Sequence, residues 1–214
     1  HQPAEGGDTG ESTEHTPSFD FTDVVDRDCV VVFDFAGMEP AIKRTLTLVL
    51  LSNLWSALKA REQRTRTHHE TAPPQVNLYL EEARDVGATR LLDTLLSEGR
   101  SFGLAIALGV QFLEQLESPD PSNNTYQEAL NETATFVVGN VSVDSDLARV
   151  LTTDGMDRTQ VETRLSAMAR GEWLVRPGTA FGEETVRPFL GQSLDAPAGH
   201  PASAIERSDR EERV

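Results

Sequence analysis

The feature that most constrains the fold is a short apolar run, Val76 to Leu80, that ends abruptly in two adjacent acids, Glu81 and Glu82. A run of this kind after the Pro73-Pro74 break is typical of a buried strand. Burying a charge is costly unless it is paired or metal-bound, so the acids are expected just beyond the strand's carboxyl end. Ligands of open α/β sheets bind at that end. The alternative is a strand followed by a helix whose acidic first turn suits the helix dipole.

Other short apolar runs alternate with amphipathic stretches along the chain. They predict strands over Cys29 to Phe35, Gln75 to Leu80, Phe102 to Val110 and Ala134 to Val138. Apolar spacings of three and four, and capping aspartates further on, predict helices over residues 41–59, 86–100, 144–151 and 157–168. A terminal β pair is predicted at 171–176 and 185–189. Strands that alternate with helices imply right-handed crossovers, so the predicted fold class is α/β with a mainly parallel sheet.

The composition indicates the salt conditions in which the protein works and excludes some structural features. The net charge is −16, and only two of the 19 Lys and Arg residues are lysines. An acid-rich, lysine-poor surface is expected in a halophile whose cytoplasm holds molar salt, because screening there shortens charge repulsion to a few ångströms. An acidic mesophilic protein is the alternative. The single Cys29, expected to be a small core residue, excludes an internal disulfide, and no apolar run approaches the roughly 18 residues of a membrane span.

The two ends of the chain differ in composition from its centre. Residues 1–17 are rich in Gly, Glu, Thr and Pro and lack periodicity, which is typical of a disordered linker. Residues 192–214 are polar and are predicted to form a disordered tail. One folded domain over residues 18–191 is therefore expected.

One segment, Lys59 to His69, is strongly basic in this acidic chain. A solvated loop is the simplest interpretation. The functional alternative is a contact with the phosphate backbone of DNA, made by Arg61, Arg64 and Arg66. The two adjacent histidines at its end are poorly placed to share a metal ion, because neighbouring side chains point apart.

Two further groups downstream of the acids suit phosphoryl transfer. Such sites use one carboxylate to hold Mg²⁺, directly or through water, and its neighbour to orient or activate the attacking water. Arg100 lies in the turn Gly99 to Gly103 that leads into the third predicted strand, and Gln111 terminates that strand. The amide is suited to sensing a γ-phosphate or water, and the arginine to reaching a nucleotide in its own subunit or the next.

These blocks resemble the additional-strand P-loop ATPases of the HerA/FtsK group, and within it the VirB-type and coupling-protein ATPases of conjugation and type IV secretion. LYLEEAR is similar to the family's Walker B motif, and LLSEGRSFGLAIALGVQ to its next block, an Arg-x-x-Gly turn, a strand and a terminal Gln. VVVFDFAG, ATFVVGNVSVDSDLARVL and GEWLVRPG follow the family's order around them. The resemblance covers roughly residues 20–190.

The resemblance implies a RecA-like three-layer sandwich with ATP and Mg²⁺ as cofactors. It makes Glu81 the acid on the Mg²⁺ side, Glu82 the catalytic base, Gln111 the sensor and Arg100 a trans-acting arginine. Glu82 and Gln111 would also contact the nucleotide, and with Arg100 they are expected to converge around one triphosphate. Arg84 stands where many members carry His, so no role transfers to it.

One departure from the family is large. The phosphate-binding loop G-x-x-x-x-G-K-[ST] is absent, and no Gly-Lys pair occurs in the chain. Without the amides and the lysine of that loop, triphosphate binding should be weak. Because the chain also begins at His1 rather than Met, we expect the C-terminal portion of a longer ATPase. By the family's topology, the missing phosphate-loop strand lies between the strands at 104–110 and 134–138. These two strands should therefore either leave a vacant slot between them or pair with each other directly.

The resemblance thus implies a hexameric motor in the cytoplasm, at the inner face of the membrane, where it drives DNA or protein translocation with a secretion machinery. The acidic composition adds the expectation of a haloarchaeal source. DNA would pass along residues 59–69, since a charge of −16 argues against binding by the whole surface. One alternative is a degenerate, non-catalytic ATPase module that serves as an assembly platform. Another is an unrelated Mg²⁺-dependent hydrolase that uses Glu81, Glu82 and Asp34.

Overall fold

Two short strands lie side by side and run in the same direction. β1 (Val76–Leu80) and β2 (Leu104–Leu108) pair in parallel, with Val76 opposite Leu104 and Leu80 opposite Leu108. Parallel strands need a crossover, which here contains α3 (Arg90–Glu98) and a 3₁₀ turn over Gly99–Phe102. The computed structural model describes residues 19–68, 73–83, 89–117, 125–142, 145–153, 155–179, 182, 184 and 186–194.

The longest helix of the described chain, α2 (Pro40–His68), covers one face of this pair. It begins at a proline, which suits a first helical turn because the missing N–H would have no partner there. Its buried residues Leu51, Leu54 and Leu58 recur at spacings of three and four and pack with α3 and both strands. The short α1 (Phe21–Val24) packs against α2.

A second sheet and three helices form a separate core from the later part of the chain. The strands are antiparallel and lie in chain order, so the middle strand pairs with both others. Leu174 on the middle strand is fully buried among residues of the helices. The strands are β3 (Phe136–Val138), β4 (Glu172–Arg176) and β5 (Phe189–Gln192), and the helices are α4 (Thr125–Glu132), α5 (Ser145–Leu151) and α6 (Arg158–Ala167).

Most predicted elements are present with shifted ends. The helix predicted to end at residue 59 continues to His68, and the one predicted over 86–100 is described only from Arg90. β5 lies later than the predicted 185–189. Residues 192 and 193, predicted to belong to a disordered tail, are ordered, since Gln192 ends β5 and Ser193 N donates a 2.7 Å hydrogen bond to Gly171 O. The predicted linker 1–17, and the tail from 195 onwards, lie outside the described residues.

The predicted strand over Cys29 to Phe35 is wrong for this structure. The segment forms no ladder, and Val30 and Val32 are 90% and 80% exposed. Cys29 is also exposed rather than a core residue. Valine-rich sequence favours an extended backbone, but a strand also needs a hydrogen-bonded neighbour. Among the described residues, β1 pairs with β2 alone.

The fourth predicted strand does not extend the parallel pair. β3 pairs with β4 in the antiparallel sheet, and β2 and β3 share no ladder. Of the two arrangements expected at this place, direct contact between the strands is therefore excluded. The second edge of β2 has no partner strand within the described ranges, and because β3 belongs to a separate sheet, the vacant slot stays a prediction.

A buried arginine on α2 binds backbone carbonyls just after α1, just before β1 and just before β2. Arg61 is 2% exposed. Its Nη1 donates to Val25 O at 2.6 Å and to Pro74 O at 3.1 Å, and its Nη2 donates to Phe102 O at 3.1 Å. Burial lowers the pKa of Arg61, yet a guanidinium stays protonated throughout the ordinary pH range. One cation thus satisfies three backbone carbonyls that precede three separate segments.

The approach of this guanidinium depends on Gly103. A Cβ at that position would lie 3.1 Å from Arg61 Nη2, closer than most real contacts. Gly103 also has φ of 72°, the left-handed conformation that ends the 3₁₀ turn and starts β2. Both constraints favour glycine there.

Replacing the buried guanidinium tests its structural role. Arg61→Lys is expected to lower the free energy of unfolding by about 2–4 kcal/mol, because one ammonium cannot reach three separated carbonyls and leaves buried acceptors unpaired. Urea unfolding followed by circular dichroism measures this. Arg64→Lys is the matched control, since Arg64 makes an exposed 3.0 Å pair with Asp26, and should change stability by less than about 0.5 kcal/mol. Equal effects of the two changes would contradict the role given to Arg61.

Candidate functional site

The carboxyl ends of β1 and β2 bring the acid pair and Gln111 to one edge. Gly109 N donates to Leu80 O at 2.8 Å, and Ala83 N donates back to Gly109 O at 3.0 Å. A Cβ built on Gly109 would lie 3.7 Å from Glu81 Cα, so the two chains are in close contact just past the strands. Gln111 follows two residues later. We call this place, formed by Glu81, Glu82 and residues 109–111, the carboxyl edge.

Glu82 has an unusual backbone conformation. Its φ is 51°, and it is the one non-glycine residue with positive φ among those described. The reversal carries Ala83 inward, where it is 1% exposed and packs with Leu116 and Ala129. A non-glycine residue in the left-handed region is strained, and such strain clusters at functional sites. The buried Ala83 and its hydrogen bond to Gly109 hold the turn that presents Glu82 to solvent.

Lys43 is a residue of this edge that sequence reasoning missed. It lies in the first turns of α2, and its Nζ is 3.3 Å from Glu82 Oε2. The Glu82 side chain is 67% exposed, so the pair contributes little to stability. It does restrict where the carboxylate points. The available signal was the rarity of lysine in this sequence and the position of Lys43 at the start of a predicted helix.

Gln111 is exposed at the carboxyl edge. Its backbone N donates to Gln115 Oε1 at 3.3 Å, which links it to the 3₁₀ turn Leu113–Leu116. This bond holds the backbone of Gln111, and the residue is exposed past the carboxyl end of β2. This agrees with the predicted position of Gln111 at the end of the strand that neighbours β1.

Arg100 is at the other end of β2. It lies in the 3₁₀ turn Gly99–Phe102 that precedes the strand, and its carbonyl accepts from Gly103 N at 3.1 Å. The five residues of β2 span roughly 17 Å at about 3.3 Å per residue. Residues before and after a strand lie at opposite ends of it, so Arg100 does not lie with Glu82 and Gln111 in this chain, and the expected convergence around one triphosphate would need Arg100 of a neighbouring subunit. Its predicted action on a neighbouring subunit stays a prediction.

The basic segment Lys59 to His69 is also different from its prediction. It continues α2 as far as His68 and is not a loop. Arg61 is buried and unavailable to DNA. Arg64 and Arg66 are exposed and pair with acids, at 3.0 Å with Asp26 and 2.7 Å with Glu62. His69 and Arg84 lie outside the described residues.

The carboxyl edge suits Mg²⁺ only as part of a larger site. No group of three or more His, Cys, Asp and Glu able to hold a metal occurs in the described part of the chain. Mg²⁺ is commonly bound by one or two carboxylates together with substrate phosphates and water, however. Glu81 and Glu82 can supply that share, with nucleotide phosphates supplying the rest. No metal-holding group that contains Asp34 occurs among the described residues, and its carboxylate accepts from Ala36 N at 2.8 Å in the turn after it.

Comparison with known proteins does not assign the chain to a family. No protein-family model matches the chain, and no curated protein is similar enough to it to count as a relative. Of the helices in the described ranges, none has the length and apolar character needed to cross a bilayer. The chemical argument therefore depends on the geometry of the carboxyl edge.

The strained backbone of Glu82 makes a prediction about stability. Glu82→Gly is expected to leave the free energy of unfolding unchanged or to raise it by up to about 1 kcal/mol, because glycine adopts positive φ without steric cost. Glu81→Gly is the matched control and should lower it by about 0.5–1 kcal/mol, since Glu81 has no positive φ to relieve. Chemical denaturation of both variants measures this. A larger loss for Glu82→Gly than for Glu81→Gly would show that the Glu82 side chain stabilises the fold.

Proposed function

We propose that this chain carries the hydrolytic edge of an additional-strand P-loop ATPase. Glu82 is the catalytic base, Glu81 is the acid on the Mg²⁺ side, and Gln111 is the γ-phosphate sensor. The observation that supports this assignment is the shared carboxyl edge, where adjacent parallel strands end in the acid pair and in the amide. This is the end at which α/β sheets bind ligands.

The chemistry of phosphoryl transfer fits these side chains. Its transition state needs little covalent help from the protein, so catalysis is mostly positioning and charge stabilisation. The left-handed turn presents Glu82 to solvent, where a carboxylate can accept a proton from attacking water. Lys43 holds that carboxylate from one side and so acts as a positioning residue. Bound Mg²⁺ would neutralise charge that develops on the β- and γ-phosphates.

The proposed assembly is a homo-hexameric ring at the inner face of the membrane, coupled to a secretion machinery and moving DNA or protein. In such a ring Arg100 serves the nucleotide of the adjacent subunit. Its position at the amino end of β2 supports this role over one in its own subunit, because the strand separates it from the carboxyl edge. The completed domain is RecA-like, with its phosphate-binding strand beside β2.

A DNA cargo would be contacted through α2. The residues that remain for this are Arg64 and Arg66, since Arg61 is engaged with backbone carbonyls. Both surface arginines pair with acids, Asp26 and Glu62, which lowers the net charge they present. Phosphates would have to compete with these exposed pairs, which are individually weak.

A second candidate function is an assembly platform without catalysis. It is favoured by one observation, the absence of G-x-x-x-x-G-K-[ST] from the 214 residues. On this account the carboxyl edge is a remnant and the Lys43–Glu82 pair is simply a surface ion pair. The two candidates differ in what Glu82 does when a phosphate-binding loop is supplied.

Two measurements on nucleotide test the proposal. Calorimetric titration of the chain with Mg²⁺–ATP should show no binding at micromolar ligand, because a triphosphate needs the amides and lysine of a phosphate-binding loop. In an assembly that supplies this loop, Glu82→Gln should lower kcat for ATP hydrolysis by at least about 100-fold and leave nucleotide affinity unchanged.

The matched control is Glu132→Gln, an exposed acid at the end of α4, which should leave kcat unchanged. Tight ATP binding by the chain alone would contradict the proposed need for an outside loop. Wild-type assembly that binds ATP without hydrolysing it, with Glu82→Gln having no effect, would support the platform instead.

A further inference from the structure

β5 is an unprotected edge of the antiparallel sheet. It pairs with β4 on one side, and no described strand lies on its other side. Exposed edges are usually guarded by charged side chains, by proline, by a bulge or by being very short. β5 (Phe189–Gln192) contains no charge and no proline, and its ladder with β4 is regular. The opposite edge of the sheet, β3, has only three residues. The open side of β5 is therefore where this sheet can accept another strand.

The backbone groups that β5 offers at its open edge are those of Leu190 and Gln192. Ser193 N donates to Gly171 O at 2.7 Å, so Ser193 directs its backbone groups to the neighbouring chain segment. Directions alternate along a strand, so Gly191 also faces β4, whereas Leu190 and Gln192 face away from it. Within the described residues, the N–H and C=O groups of these two residues meet no other strand.

The side chains at this edge are apolar, exposed and uncharged. Phe189 is 50% exposed on one face of the sheet, and Leu190 is 53% exposed on the other. The chain has a net charge of −16 and a quarter of its residues are charged, yet residues 188–194 carry no charge. Two copies of the chain can therefore meet at this segment without placing like charges opposite each other. This favours a second copy as the occupant of the edge.

The glycine in the centre of β5 is not required by the fold of a single chain. Gly191 has no positive φ, and a Cβ built on it would meet Val175 Cγ2 at 3.7 Å, an ordinary contact. Glycine weakens the interior of a strand, and where it occurs there it often marks the close approach of another backbone. Because β4 does not need the glycine, that backbone is expected on the open side of β5.

We propose that two copies of the chain pair antiparallel through β5, about a two-fold axis at Gly191. In this register Leu190 of each copy lies opposite Gln192 of the other. Each such pair exchanges both of its N–H···O bonds, so all of the outward backbone groups of Leu190 and Gln192 are used. The pairing joins the two three-stranded sheets into one. Because both copies use the same edge, the contact is isologous and ends at a dimer.

The dimer is expected to be weak and to depend on protein concentration. The shared strip is a single short strand from each copy, which buries less area than a stable interface does. Molar salt favours the contact, because it screens the repulsion between two chains that each carry a charge of −16. A two-fold contact differs from the head-to-tail contacts that close a ring, so this inference does not depend on the proposed function.

Amide hydrogen exchange of the unaltered chain, followed residue by residue by NMR in molar salt, tests the pairing and its register. Protein at about 50 µM would be compared with protein at about 1 mM, a range suited to weak association. The Leu190 and Gln192 amides should exchange at least about 10-fold more slowly at the higher concentration. The Gly191 amide, which faces β4, should be equally protected at both concentrations.

Prolines at the two edges of the sheet provide a matched pair of variants. Leu190→Pro removes an N–H that the pairing needs. Val137→Pro removes one at the open edge of β3, because Val137 lies opposite Val175, whose backbone groups face β5. The two replaced residues are similarly exposed, at 53% and 58%. In sedimentation equilibrium, Leu190→Pro should raise the dissociation constant of the dimer at least about 10-fold and Val137→Pro should leave it unchanged, while circular dichroism monitors folding.

Four results would overturn the proposal. The first is a wild type that keeps the mass of one chain at about 1 mM. Equal protection of Leu190 and Gln192 at both concentrations would assign the edge to another segment of the same chain. Weaker association in Val137→Pro than in Leu190→Pro would place the contact at β3. Concentration-dependent protection of Gly191 in place of its two neighbours would exclude this register, and that result needs no variant to fold.

Discussion

The Arg61 guanidinium and the three carbonyls it binds are the interaction on which the first half of the structure depends. Burying a cation is expensive unless it is hydrogen-bonded, and here the acceptors of its two terminal nitrogens belong to three distant parts of the chain. Because α2 must lie over the core to bury Leu54 and Leu58, it carries Arg61 to the amino ends of the strands. The carboxyl ends then come together at the opposite side, where Glu81, Glu82 and Gln111 lie.

The sequence was sufficient for elements whose signal is local. β1 and β2 follow from apolar runs bounded by breakers, and α6 from a capping box in which Asp157 and Gln160 satisfy each other's backbone N–H. It was insufficient where pairing decides the outcome. The valines at positions 30–32 favour an extended backbone, but their sequence does not say whether a neighbouring strand pairs with them. Likewise, the pattern of β3 does not specify the sheet it joins.

The basic end of α2 shows how a charge pattern can conceal a structural one. Residues 59–69 look like a solvated loop because polar and basic side chains dominate. Yet Leu54, Leu58 and Arg61 continue the same spacing of four and three, so Arg61 occupies a core-facing position. Reading that periodicity through the arginine would have predicted both the longer helix and the burial. The carbonyl acceptors were not predictable, because they arise from chain segments brought together only by folding.

The candidate site was predictable in part for a geometric reason. Residues just after neighbouring parallel strands share an edge, and by this rule the acid pair and Gln111 both lie past the carboxyl ends of β1 and β2. The same rule, applied to residues before a strand, would have put Arg100 at the far end. Lys43 could not be placed from sequence, because its contact with Glu82 depends on how α2 crosses the sheet.

Distances between paired spin labels test this arrangement most directly. With Cys29 replaced by Ser, labels would be attached at positions 81 and 111 in one protein and at 81 and 100 in another. The account predicts that position 111 is the nearer to 81, and that position 100 is at least about 17 Å away, the length of β2. A label at 100 as close to 81 as the label at 111 would contradict it.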